Sequence, residues 1–121
     1  MSTVALDLGR LPEALVARPR GDIDMAVTPG LQAELVAAVT EHGAACLVVD
    51  LGEVGYIDSS GIELLFRLHG ALAAEGTGLK VVAPPGSGAA RLLGLVALGD
   101  VGEVCESLTE ALDSCRARRA G

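Results

Sequence analysis

The seven residues Ala45-Cys46-Leu47-Val48-Val49-Asp50-Leu51 constrain this chain more than any others. No polar side chain interrupts them before Asp50. A run without alternation has no face to give to water, so it predicts a central strand covered on both sides. From Thr28 onward, apolar runs of this kind alternate with helical patterns. That alternation predicts an α/β domain, with helices laid against a mainly parallel sheet.

The flanking segments fill in the order. Val4–Leu8 and Ala14–Ala17 read as two short strands of a hairpin, joined through Gly9-Arg10-Leu11-Pro12 and broken off by Arg18-Pro19-Arg20-Gly21. Such a hairpin would make the sheet mixed. Thr28-Pro29 reads as a helix start, with a capping hydroxyl and a proline at the first helical position. Leu31, Leu35, Ala38 and Val39 form the apolar stripe of that helix, and Gly43 is its stop. Gly52–Gly55 reads as a loop. In the helix Ile62–Ala74, Leu65, Phe66, Leu68 and Leu72 turn inward, and Glu63, Arg67, Gly70 and Ala74 outward. His69 falls at the margin, where packing is the ordinary role. Leu79–Ala83 reads as a strand, Ala89–Leu98 as a helix and Val101–Val104 as a short last strand. Ser107-Leu108-Thr109-Glu110 has the form of a capping box and opens a final helix that runs to about Arg118. Its apolar side is Leu108, Ala111, Leu112 and Cys115.

Between the central run and the helix at Ile62 lies Tyr56-Ile57-Asp58-Ser59-Ser60-Gly61-Ile62. A strand that feeds a helix through such a turn sets polar groups at a helix N-terminus, where free backbone N–H groups favour a phosphate. Ser60-Gly61-Ile62-Glu63 also has capping-box form. If that box forms, the Ser60 hydroxyl accepts from the Glu63 N–H, and Ser59 stands one residue outside the helix with its hydroxyl free. Ser59 is then the reactive group and Ser60 the structural one. Asp58 is a competing cap, and its use would weaken the distinction. Taken alone, a D-S-S-G string is too short to mean more than helix capping.

Composition narrows the function. A length of 121 residues suggests one domain, residues 1–121, with room for a real core. One Tyr and one Phe leave no stacking surface for single-stranded nucleic acid, and a net charge of −7 repels phosphate backbones. Three cysteines without a C-x-x-C pair fit a reduced cytoplasm better than secretion, with Cys46 as buried filler. No signal peptide or membrane-spanning run is present. His42 and His69 lack metal-ligand spacing. Asp22 and Asp24 could hold a cation, although a solvated turn is the commoner use. No G-x-S-x-G surrounds Ser59, and a Ser-His-Asp site would have to assemble in space. Gly86-Ser87-Gly88 follows a strand and precedes a helix, but Arg91 replaces the third glycine of a dinucleotide loop and no P-loop lysine follows. These residues point to no catalytic group, cofactor or metal.

Gly21-Asp22-Ile23-Asp24, Leu47-Val48-Val49-Asp50-Leu51 and Tyr56-Ile57-Asp58-Ser59-Ser60-Gly61, in that order and spacing, resemble the STAS domain family. The likeness covers almost the whole chain and is nearest to the stand-alone anti-sigma factor antagonists of bacteria. It implies a mixed sheet of four or five strands with about four helices, mostly packed on one face. It implies a non-enzymatic switch protein of the cytoplasm, without nucleic-acid or membrane partners. Its unphosphorylated form would bind an anti-sigma factor serine kinase and release the sigma factor. The kinase would phosphorylate Ser59, and a PP2C-type phosphatase would restore binding. Asp24, Asp58, Ser59, Ser60, Gly61 and Ile62 would form the partner-binding surface. Glu63 departs from the small residue common at that position and adds negative charge near Ser59. A scaffold or accessory subunit of a stress-signalling or lipid-transport complex, without a phosphorylation cycle, is the alternative that the likeness allows.

Overall fold

In a computed structural model, which describes residues 4–94 and 102–120 with the side chains of 118–120 excepted, the apolar run forms β3 (Cys46–Asp50), buried along its whole length. Its side chains alternate between two apolar clusters. Leu47 and Val49 enter a large one, Cys46 and Val48 a small one. The absence of polar alternation in the sequence therefore has its expected cause: both sheet faces are covered at this strand.

Around it lie β1 (Ala5–Arg10), β2 (Leu15–Ile23), α1 (Thr28–His42), β4 (Val54–Ile57), α2 (Ser59–Ala74), β5 (Gly78–Val82), α3 (Gly88–Leu93), β6 (Glu103–Cys105) and α4 (Leu108–Ala120). The sheet runs β1-β2-β3-β5-β6. The β1–β2 hairpin is antiparallel and the other pairings are parallel. The fold is thus the expected mixed α/β sheet. Leu31 and Leu35 of α1, Leu65 and Leu68 of α2, and Leu93 of α3 pack into the large cluster. Among the described residues, α4 is the helix that packs on the opposite face, through Ala111 and Cys115.

Several sequence expectations are corrected. β2 does not break at Arg18-Pro19-Arg20-Gly21 but runs through it. It pairs with β3 over residues 15–17 and with β4 over residues 21–23, so Pro19 lies in the gap between them. The N–H that proline lacks is not needed for either parallel ladder. β4 takes in Val54 and Gly55 of the expected loop together with Tyr56 and Ile57; its burial is only partial, which is why no apolar run announces it. Thr28 is not a cap. It is the first helical residue and is buried, and Val27 holds the cap position without a side-chain bond. Phe66 faces outward, at 36% exposure, where its helical spacing had put it inside. Residues 95–101, which include the end of the helix expected to reach Leu98 and the start of the last strand at Val101, lie outside the described residues.

Cys46 is buried, as expected, but it is not inert filler. It pairs with Cys115 as a disulfide, with the two Cα atoms 6.2 Å apart, inside the span such a bond bridges. Asp50 ends β3 as a buried carboxylate with full satisfaction. It accepts from Arg18 Nη2 at 3.0 Å and from the Gly52 N–H at 2.9 Å, so the turn into β4 is held by the same side chain.

The large cluster carries the fold's stability. Leu68 is fully buried at its centre. Leu68→Ala removes its methyl groups and leaves a cavity, so urea unfolding should show a loss of about 2–5 kcal/mol with an unchanged m-value.

Candidate functional site

β2 and β4 run parallel with Ile23 opposite Ile57, so Asp24 and Asp58 leave neighbouring strand ends. The Asp58 N–H donates to the Ile23 carbonyl at 3.4 Å. Each aspartate then organises its own turn. Asp24 accepts from the Ala26 N–H at 3.0 Å through Oδ1, and its carbonyl accepts from Val27 and Thr28. Asp24 thus shapes the turn into α1, while Asp22 lies exposed within β2. Among the described residues no group of three or more His, Cys, Asp or Glu side chains is placed to hold a metal ion.

Asp58 is the N-cap of α2, in extended conformation, and its Oδ1 accepts from the Ser60 N–H at 2.9 Å. The Ser60 hydroxyl donates to the same carboxylate oxygen. The expected capping box from Ser60 to Glu63 is therefore replaced by a cap two residues earlier. The carboxylate wins because it takes two donors at once and sits at the positive end of the helix dipole. The Ser60 hydroxyl beside Asp58 holds that carboxyl below its ordinary value, against a smaller desolvation effect in the other direction. Backbone N–H donors from Ser60 and Gly61 act in the same sense.

Ser59 is the first residue of α2, not one outside it. Its side chain is exposed, and its hydroxyl has no hydrogen-bond partner among the described residues. The inequality of the two serines thus survives, with a different cause. Ser60 is engaged by Asp58 and Ser59 is open.

Gly61 and Ile62 do not present surface. Both are buried. A Cβ on Gly61 would lie 2.5 Å from Ile57 Cγ1 and 3.2 Å from Ile23 Cγ2. Glycine is needed there because the first turn of α2 presses directly on β2 and β4. Ile62 enters the large cluster. Both are corrected from partner-binding residues to packing residues that fix where Ser59 points. Glu63 is exposed and loosely paired with Arg67 at 3.9 Å.

Three exposed apolar side chains flank the motif and were missed from sequence: Met25 beside Asp24, Tyr56 two residues before Asp58, and Phe66 two turns along α2. Phe66 shares the outward face of Ser59, since seven residues are close to two full turns. Isolated apolar residues carry no sequence signal for exposure.

Around the open Ser59 hydroxyl the other candidate groups lie apart. His69 lies ten residues along α2 from Ser59, roughly 15 Å at the helical rise. His42 closes the far end of α1. Asp58 is occupied by its cap. The Ser-His-Asp arrangement that could have assembled in space does not form among the described residues. The loop at Gly86-Ser87-Gly88 is an ordinary helix start, with the Ser87 hydroxyl accepting from the Ala90 N–H at 3.1 Å.

Four substitutions at three positions test this arrangement. Asp58→Ala should lower stability by about 1 kcal/mol, and Ser60→Ala by less. Because the Asp58 carboxyl titrates lower in the folded chain than in the unfolded one, its contribution is complete above an unfolded value of about 3.9. It is lost as the pH falls through the lower folded value. The difference between wild type and Asp58→Asn, measured by urea unfolding, should therefore narrow on acidification below pH 4. Gly61→Ala should destabilise by about 1–3 kcal/mol through overpacking against Ile57.

Comparison with known proteins places this geometry. The family model of the STAS domain matches residues 5–111. An anti-sigma factor antagonist from Mycobacterium paratuberculosis superposes with a TM-score of 0.82 at 26% identity, over 94% of this chain and 95% of that one. The phosphorylated form of the Bacillus cell fate determinant SpoIIAA gives 0.63 at 21% identity, over 91% and 98%. A sulfate transporter family protein from Wolinella succinogenes gives 0.73 at 17% identity, over 92% and 91%. The latter two likenesses concern the fold alone. With its hairpin-led mixed sheet, and the D-S-S-G turn at the mouth of α2, this chain belongs to the STAS domain family.

Proposed function

We propose that this chain is an anti-sigma factor antagonist, a single STAS unit over residues 1–121 that works as a substrate and switch rather than a catalyst. In its unphosphorylated form it binds a kinase-type anti-sigma factor in the cytoplasm and releases the sigma factor. Phosphorylation of Ser59 by that kinase ends the interaction, and a PP2C-type phosphatase reverses it. One observation carries the reading: the Ser59 hydroxyl is exposed and unpartnered at the start of α2, while its neighbour is engaged. The similarity to the mycobacterial antagonist supports it.

The physics fits a switch that leaves the domain folded. A phosphate adds about −1.5 to −2 charges and three acceptors. At a helix N-terminus the backbone dipole favours that charge, so the host fold tolerates it. A partner packed on Asp24, Asp58, Ser59 and Ser60 does not, since the added bulk and desolvation fall on the complex. A penalty of about 3 kcal/mol weakens binding more than a hundredfold. Glu63 adds like charge near the site and tunes which kinase accepts it.

A second reading, an accessory STAS unit of a larger complex without a phosphorylation cycle, is favoured only by the fold likeness to the sulfate transporter family protein. The two separate cleanly. The switch reading expects Ser59→Ala to keep the fold, keep kinase binding and block phosphate incorporation, scored by intact mass after incubation with the cognate kinase and ATP. Ser59→Glu should keep its melting temperature within a few degrees and lose kinase binding. Phosphate on Ser59→Ala, or undiminished binding by Ser59→Glu, would refute the assignment. A stable stoichiometric assembly that never takes phosphate would favour the accessory role.

A further inference from the structure

We propose that Cys46 and Cys115 form a thiol–disulfide modification site, exchanging with dithiol and disulfide reagents, whose redox state sets how firmly α4 holds the sheet. The inference goes beyond the phosphorylation switch and does not rest on it.

The argument starts from how α4 is anchored. Among the described residues, α4 buries only Ala111 and Cys115 completely, with Leu108 and Leu112 partly covered. In contrast, α2 buries Ile62, Leu64, Leu65, Leu68 and Leu72. Apolar burial scales with area, so α4 has far the weaker hold. The Arg116–Glu13 ion pair at 3.5 Å adds little, because Arg116 is half exposed. Ser107 caps only the near end, accepting from the Glu110 N–H at 3.2 Å. The Cys46–Cys115 bond is what pins the later turns of α4 to the first residue of β3, across a sequence separation of 69. A cross-link over so long a loop removes much freedom from the opened chain.

The third cysteine does not compete. Cys105 lies in the same cluster and is buried. Burial, with the Glu103 carboxylate beside it, pushes its thiol up to about 11, so the attacking thiolate is scarce. Both sulfurs of the pair are also buried, so reagents reach them when α4 lifts. On oxidation the two thiols lose two protons and two electrons as the S–S bond forms. A disulfide reagent takes up both and leaves as two thiols. A dithiol runs the exchange backwards and departs as its own disulfide. In a thiol-rich compartment such a bond is transient and reports redox state.

The test uses the whole chain. After incubation with oxidised glutathione, alkylation in denaturant should label one cysteine, and peptide mapping should link Cys46 to Cys115. After dithiothreitol it should label three. Reduction should lower the melting temperature by roughly 10 °C or more. It should also speed hydrogen exchange in residues 108–117 while leaving residues 59–74 unchanged. Cys105→Ser should keep the same redox shift. Three free thiols after oxidation, a link through Cys105, or equal melting and exchange in both redox states would overturn the proposal.

Discussion

The closeness of α2 to the strands beneath it governs this molecule. Its first turn follows β4 after one residue, and the missing Cβ of Gly61 is what lets it settle against Ile57 and Ile23. That contact fixes the angle at which the helix leaves the sheet. Asp58 then caps the helix from within the same short link, taking both the N–H and the hydroxyl of Ser60. With glycine, aspartate and the second serine all committed to the junction, the first serine is the residue left over, facing water at the positive end of the dipole.

The two faces of the sheet are built to different standards. The face under α1, α2 and α3 is filled by Leu, Ile and Val side chains and includes most of the fully buried volume. The face under α4 is filled by Ala, Val and Cys. β3 serves both, which is why its sequence has no polar alternation. Helix α4 is therefore the least firmly held of the longer helices by packing alone, and a covalent tie is most consequential there. Met25 beside Asp24, Tyr56 in β4 and Phe66 on the outer side of α2 are exposed apolar side chains.

Long and strongly patterned segments were legible in the chain. Ala45–Leu51 was a buried strand, the stripe of Leu31, Leu35, Ala38 and Val39 was the inner side of α1, and Leu108, Ala111, Leu112 and Cys115 were the inner side of α4. The segments that were misread share a cause: their role depends on a neighbour distant in sequence. Arg18-Pro19-Arg20-Gly21 reads as a break, yet β2 runs through it and changes partners there. β4 gave no signal because it is short and half covered. Phe66 was grouped with the inner stripe of α2, but it lies on the outward side of the helix with Ser59 and is exposed.

By itself the sequence determined the class of fold, the place of the strand-to-helix turn and the residue types gathered there, because hydrophobic period and turn chemistry are local properties. Only the tertiary structure decided which carboxylate caps α2, which serine is left open, why Gly61 has no side chain, and that Cys46 meets Cys115. Each of those depends on a distance set by packing or by cap geometry, and neither is written in the spacing of residues along the chain.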